Sequence, residues 1–517
     1  MKREILGMNP PASTVLDLLK VGAASAAALS APGGVPLSYG ALRKLVAATI
    51  ESLNARGVGR NDRVAIVLEN GPAMAAAFLC AAAGATAAPL NPAYRDEELE
   101  FYLSDLGAKV LVVGEGVSSP AIEVANRLGI PVVRLAGTPA SGAGGFTLNF
   151  PPSMPAARAS APGPALPEDI ALVLHTSGTT SRPKIVPLSQ RNVCASGYNV
   201  SRSVAFTAAD KGLNVMPLFH IHGLIAGILA PLSAGGEVFC TPGFNALKFF
   251  SWMAEARPTW YTAVPTMHQA ILARAANNAE VIKACPLRFV RSSSSSLPPQ
   301  VIRELETVFG APVIEAYGMT EAAHQMASNP LPPGKRKPGS VGVAAGPQVC
   351  ILDAGGRPVL PGVTGEIAIR GVNVTQGYEN NPKANGEAYV NGWFRTGDQG
   401  VMDEEGYVSI TGRLKEIINR GGEKISPREV DEVLMDHPCV QQCVAFAVPH
   451  HMLGEDVAAA VVLREGRSAT EKELREFVAR HLADFKVPRK ILILDEIPKG
   501  ATGKLQRIGL AQKLGLA

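Results

Sequence analysis

Apolar positions along the chain gather into short unbroken runs, separated by stretches in which they recur with helical spacing. Within 62–69 the run Val64-Ala65-Ile66-Val67-Leu68 predicts a strand buried on both faces, since a half-exposed strand would alternate. The pattern predicts a helix over 72–83, a short strand over 86–90 and a third strand over 109–113. Between the last two, 96–105 predicts a helix whose acidic opening suits the positive end of the helix dipole. Strands alternating with helices imply βαβ units and a mainly parallel sheet. The pattern lapses over 136–168, where Pro, Gly, Ala and Ser predict an irregular surface loop. A strand over 170–174 comes next, and α/β alternation continues to about 320. Glycines and short β-like runs over 339–378 predict a small antiparallel barrel or sheet. The pattern resets after Gly412-Arg413, and the helix, strand and helix beyond it suffice for a separate small α+β domain.

Bulk composition narrows the class without naming a chemistry. At 517 residues the chain is too long for one ordinary core, so two or more domains are expected. A hydrophobic fraction of 47% with 18% charged residues suits large buried cores. The net charge of +4 comes without a basic stripe or acidic tail, which argues against nucleic acid as a partner. Seven scattered cysteines, an odd number, predict free thiols and a reducing, cytoplasmic setting. No continuous apolar run follows Lys2 and Arg3, so no secretory leader is expected. The alanine-rich stretch 21–32 is too short and interrupted for membrane insertion, and the C-terminus is not a peroxisomal address. A monomer or homodimer is expected.

The first candidate chemistry lies at 175–184, His-Thr-Ser-Gly-Thr-Thr-Ser-Arg-Pro-Lys, directly after a predicted strand. Hydroxyls, a glycine and two cations in one loop can wrap a polyphosphate, with backbone N–H groups donating and lysine neutralising charge. A polar surface turn has the same composition. The loop lacks the Walker A spacing. Its S-G-T-T-x-x-P-K core resembles the signature of the adenylate-forming superfamily of acyl-CoA synthetases, peptide-synthetase adenylation domains and luciferases. Further motifs of that superfamily occur in order. They are Tyr317-Gly318-Met319-Thr320-Glu321, Arg395-Thr396-Gly397-Asp398, Gly412-Arg413-Leu414-Lys415-Glu416 with Gly421-Gly422-Glu423-Lys424, and Pro498-Lys499-Gly500-Ala501-Thr502-Gly503-Lys504. Ile185 departs from the pattern, which usually has glycine after the lysine.

The resemblance implies an α/β fold. Its large N-terminal domain over 1–411 would combine doubly wound sheets with a small β-barrel. A hinge at 412–415 centred on Lys415 would lead to a smaller mobile α+β domain over 416–517. It also implies ATP, Mg2+ and coenzyme A as reactants and cofactors. Thr176, Ser177, Gly178, Thr179, Thr180 and Lys184 would hold the outer phosphates. Tyr317 would offer its ring to adenine and Thr320 would donate to the α-phosphate. Glu321 would hold magnesium, a hard cation that prefers carboxylate and phosphate oxygens. Asp398 suits two ribose hydroxyls, because a carboxylate accepts more than one hydrogen bond, and Arg413 would be the second ribose contact. Lys504 would stabilise charge spreading over the attacked phosphate. Rotation of the small domain would then bring Gly421, Gly422, Glu423 and Lys424 to the pantetheine arm.

Three regions expected to line the acid pocket are polar, where fatty-acyl and aryl members would be apolar. They are Pro217-Leu218-Phe219-His220-Ile221-His222-Gly223, Arg291 with the five serines 292–296, and His324 just after Glu321. A second carboxylate on the substrate would need cations or several donors to be buried. These stretches resemble the oxalate–CoA ligase branch of the superfamily. That resemblance implicates His222, Ser293 and His324 in holding the distal carboxylate, with Ser294 as the alternative register. Arg291 either contributes or forms a structural ion pair. The competing functions are ligation of another short acid, such as malonate or a short or medium-chain fatty acid, and non-catalytic adenylate binding. His437, Cys439, Cys443, His450 and His451 mimic a zinc cluster, but 440–448 alternates like a strand and spaces its thiols poorly for a tetrahedron.

Overall fold

A computed structural model of the chain describes residues 11–176, 183–499 and 505–517. Two mainly parallel sheets carry the large N-terminal part. The first runs, edge to edge, Phe146–Asn149, Val132–Gly137, Val110–Gly114, Arg63–Val67, Thr86–Pro89, Ile170–His175, Ile185–Ser189. The second runs Val343–Ala344, His324–Ser328, Val313–Met319, Phe289–Ser293, Trp260–Ala263, Lys211–Asn214, Glu237–Cys240, Ala27–Ser30, Leu37–Ser38. Their central pairings are parallel and their outer ones antiparallel. The expected strands and helices of the first half therefore form, with ends shifted by a residue or two.

The helix Pro72–Gly84 packs against elements of both sheets. All of its residues from Met74 to Gly84 are buried, as a helix that is apolar all round requires. The 136–168 stretch is more regular than predicted. Phe146–Asn149 adds an antiparallel edge strand to Val132–Gly137, with Phe146 buried and Thr147 exposed. Its two-residue alternation is too short to stand out among the surrounding glycines and prolines.

Gln348–Leu352, Gly365–Arg370, Tyr389–Val390, Trp393–Met402 and Val408–Arg413 build a five-stranded antiparallel sheet. It is the half-barrel counterpart of the expected small barrel. Exposed residues Leu414 and Lys415 continue in a turn, and a separate sheet begins at Ile418–Arg420. That sheet joins Glu423–Ile425, Gly454–Leu463, Val440–His450 and Lys490–Ile493, with helices Pro427–Met435 and Glu471–Ala479 beside it. One buried apolar cluster includes residues of both parts, among them Val264 and Met267 of the large part and Val430 and Leu434 of the small one, and polar contacts also join them. Arg428 donates to the Ile410 carbonyl at 2.6 Å, Gln269 to the Gln441 carbonyl at 2.8 Å, and Arg464 pairs with Glu304 at 3.4 Å. Among the described residues no helix is long and apolar enough to cross a membrane.

Candidate active site

Strand Val313–Met319 delivers Tyr317 to the seam between the nine-stranded sheet and the five-stranded one. From the other side come Asp398 and Arg413, direct partners across two antiparallel strands. The Tyr317 hydroxyl donates to Asp398 Oδ2 at 2.5 Å and Arg413 Nε donates to Oδ1 at 2.8 Å. Burial, followed by the Asp398 charge, pushes the Tyr317 phenol well above its ordinary value. The three expected nucleotide-side residues are thus together, in an arrangement the motifs did not specify. Tyr317 and Arg413 orient the Asp398 carboxylate. Each of its oxygens keeps a further lone pair for a sugar hydroxyl.

Glu321 is buried on the short turn Thr320–Ala322 beyond that strand. Its Oε1 accepts from the Tyr378 hydroxyl at 2.8 Å, and Lys184 Nζ lies 4.0 Å from the centre of the Tyr378 ring. Tyr378 therefore bridges a phosphate-loop cation and the proposed metal ligand, partly through a cation–π contact. Burial raises the Glu321 carboxyl above its ordinary value, although the Tyr378 bond opposes this. A hard oxygen donor whose charge lacks full compensation fits a divalent cation. Tyr378 was missed in the sequence because no motif marks it.

The ends of the loop expected to hold phosphate are clasped. Thr176 N donates to the Lys184 carbonyl at 2.9 Å and Lys184 N donates to Thr176 Oγ1 at 3.3 Å. Ile185, the departure from the motif, is buried on the strand that leaves the loop, opposite His175. Ser177, Gly178, Thr179, Thr180 and Lys504 lie outside the described residues.

The polar regions expected around the acid converge at the C-terminal ends of the second sheet's parallel strands. His222 opens a helix wound with π-type hydrogen bonds over His222–Leu229, an irregularity that recurs at functional sites. Its Nε2 meets Thr262 Oγ1 at 2.7 Å and its Nδ1 meets Ser294 Oγ at 3.0 Å. The His222 and His324 rings stack with centroids 4.9 Å apart and planes 18° apart. Arg291 donates to His222 Nε2 at 3.3 Å, His324 Nε2 at 3.0 Å and Gln325 Oε1 at 3.1 Å. Ser294 and His324 have φ of 77° and 104°, a region non-glycine residues rarely enter and functional sites tolerate. Ser293 is placed differently from its expected register. Its hydroxyl donates to the Ala316 carbonyl at 2.9 Å, and Ser294 is the serine that reaches His222.

The residues expected to meet coenzyme A stand apart from this cluster. Gly421 and Gly422 form the tip of a hairpin with φ of 60° and 100°, and Glu423 and Lys424 come next, all four exposed. Among the described residues the hairpin makes no hydrogen bond to the nucleotide-side or acid-side groups. A cavity opens between the two parts of the chain beside the acid cluster. Its walls include Val264, Thr266 and Ser295 on one side and Arg428, Asp431 and Arg507 on the other. In the zinc-like cluster, the buried Cys443 thiol donates to the Asp431 carbonyl at 3.3 Å, and His450 Nδ1 accepts from Leu453 N at 3.2 Å.

Comparison with known proteins adds family information to this geometry. Residues 21–379 match the family model described as AMP-binding enzyme, and 429–504 match the one described as AMP-binding enzyme C-terminal domain. A "Probable CoA ligase" of Humulus lupulus is 47% identical over 96% of this chain and 95% of its own. The oxalate–CoA ligase of Arabidopsis thaliana is 46% identical over 94% of this chain and 95% of its own. Among solved structures, ATP-bound MatB from Rhodopseudomonas palustris superposes with a TM-score of 0.86 at 30% identity, covering 98% of each chain.

Proposed function

We propose that this chain, which belongs to the AMP-binding enzyme family, is an ATP-dependent acid–CoA ligase that activates oxalate and transfers it to coenzyme A. The observation that carries the choice of acid is the buried Arg291–His222–His324 cluster. A fatty or aryl chain would leave the buried Arg291 charge without an anion at a cost, whereas a second carboxylate supplies one. The relative named as an oxalate–CoA ligase supports the same reading.

In the first half-reaction an oxalate oxygen attacks the α-phosphorus of ATP. A P–O bond to the β-phosphate breaks and pyrophosphate leaves. The loop from Thr176 to Thr180, with Lys184, draws off the departing charge. Thr320 and Lys504 steady the oxygens of the attacked phosphorus, and Asp398 with Arg413 and Tyr317 fixes the nucleoside. Glu321 is the residue that would hold Mg2+, whose chemistry there is neutralisation of phosphate charge. In the second half-reaction the coenzyme A thiolate attacks the oxalyl carbonyl and AMP leaves. This step requires the 416–517 domain to turn about Lys415, so that Gly421, Gly422, Glu423 and Lys424 replace Lys504 at the site. Positioning and electrostatics do the catalytic work, and no covalent enzyme intermediate is needed.

The test is CoA-dependent AMP formation by purified protein with ATP and magnesium, comparing oxalate, malonate, acetate and a medium-chain fatty acid. Strong preference for oxalate is expected. Preference for another acid would keep the ligase chemistry and overturn the assignment of His222, Ser294 and His324 to a distal carboxylate. Failure to form AMP with any acid would overturn the ligase itself.

A further inference from the structure

Arg291 brings a full positive charge into the acid pocket, and no carboxylate among the described residues bonds to it. Its side chain is 0% exposed, on a strand flanked by Trp260–Ala263 and Val313–Met319. Among the described residues its hydrogen bonds go to two imidazole nitrogens, His222 Nε2 and His324 Nε2, and to the amide oxygen Gln325 Oε1, and its Nε has no partner. Burial lowers its affinity for the proton, to about 9, which still leaves it charged at neutral pH. A buried cation without an anion is costly, so the site gains most from a ligand that supplies one.

The same contacts determine the state of the histidines. A guanidinium has only donors, so each imidazole nitrogen facing it must present a lone pair. Each ring is then neutral, with its hydrogen on Nδ1. The single lone pair of His222 Nε2 is then shared, with the Thr262 hydroxyl the nearer donor and the Arg291 guanidinium the farther one, and His222 Nδ1–H donates to Ser294 Oγ. That leaves the Ser294 hydroxyl hydrogen to donate onward. A second and third positive charge on the stacked rings would face strong repulsion at this depth.

We propose that Arg291 is the residue that sets the pocket's selectivity for a diacid, supplying the counter-charge for the distal carboxylate and holding His222 and His324 as neutral Nδ1–H donors. This rests on the acid–CoA ligase reading above and adds where the charge resides. His222 acts through Ser294, which with His324 presents the hydrogen bonds, while the cation stands one layer behind them. Arg291 is a positioning residue, since it acts through the two rings.

The experiment compares oxalate with oxamate, its isostere with a neutral amide end, in wild type, Arg291→Met and Arg291→Lys. AMP release is the readout for the acid, and the KM for ATP serves as an internal reference. The oxalate-over-oxamate ratio of kcat/KM is expected to fall at least tenfold in Arg291→Met, and less in Arg291→Lys, which keeps the charge but not the two-pronged geometry. The loss should appear in the KM for oxalate while the KM for ATP stays put. A second measurement needs no variant at position 291. The nitrogen shifts of 15N-histidine-labelled wild type, assigned with His222→Asn and His324→Asn, should show both rings neutral with hydrogen on Nδ1. A ratio retained in Arg291→Met, or either ring protonated on Nε2, overturns the proposal. Wild type that does not favour oxalate over oxamate overturns the substrate reading and the counter-charge together. A preference that survives Arg291→Met overturns the role of Arg291 alone.

Discussion

Asp398 is 5% exposed between a phenol and a guanidinium, and both oxygens are already engaged. A residue held this way is pre-oriented, so binding need not fix its rotamer. Asp398→Asn removes the charge that answers Arg413 and turns one acceptor into a donor. A charge-assisted hydrogen bond contributes about 1.5–3 kcal/mol, so the KM for ATP should rise roughly ten- to hundredfold. ATP–pyrophosphate exchange measures this directly, and an unchanged KM for ATP would remove Asp398 from the nucleotide site. At this scale the sequence was informative wherever a motif carried spacing, as at Tyr317, Asp398 and Arg413. It was silent on Tyr378, which reaches the site through folding alone. It left the serine register open because five successive serines carry no pattern. In the structure the Ser293 hydroxyl donates to the Ala316 carbonyl and Ser294 reaches His222, which favours the second register.

Strand Val313–Met319 and its antiparallel partner His324–Ser328 form the element on which both halves of the site depend. One carries Tyr317, the other His324 and Gln325, and the pairing is irregular between Tyr317 and Gly318. Gly318 permits this closeness. A Cβ there would run into the His324 carbonyl oxygen, and the neighbouring atoms are backbone, which cannot swing away. Gly318→Ala should therefore push the second strand outward and carry His324 with it. The expected result is a loss of about 1–3 kcal/mol in stability, as for other overpacked sites, and a KM for the acid that rises more than that for ATP. Thermal melts and initial-rate kinetics on the same preparation check both parts, and equal effects on the two substrates would dissociate Gly318 from the acid pocket. The long βαβ elements were legible because their apolar runs exceed what a surface segment carries. Phe146–Asn149 was not, because an edge strand of four residues gives too little alternation to read against a Pro- and Gly-rich background.

Over the whole molecule, the change of pattern after Gly412-Arg413 was visible in the sequence, but the contact between the large and small parts was not, because it is assembled from residues distant in the chain. Glu315 belongs to that contact. It is 6% exposed at the strand centre, and the charges that reach it are Arg428 and Glu432 on helix Pro427–Met435 of the small part. Burial holds its carboxyl up at about 8, with Arg428 and backbone N–H groups of Gly339 and Leu297 opposing and Glu432 reinforcing the rise. The folded protein therefore keeps a proton that the unfolded chain releases between the ordinary value of 4.5 and about 8. Across that window the native state binds more protons than the unfolded state, so this group makes stability fall as pH rises. Below 4.5 both states are protonated and the penalty vanishes; above about 8 both are ionised and it is at its full size. Glu315→Gln keeps the neutral form at every pH. Its advantage over wild type should be near zero at the acid end and grow toward the alkaline end, reaching on the order of 5 kcal/mol. Denaturant melts of both proteins at a series of pH values give this difference directly. A constant gap across the series would mean that Glu315 ionises in the native state as readily as in the unfolded chain, and that the seam between the two parts tolerates its charge.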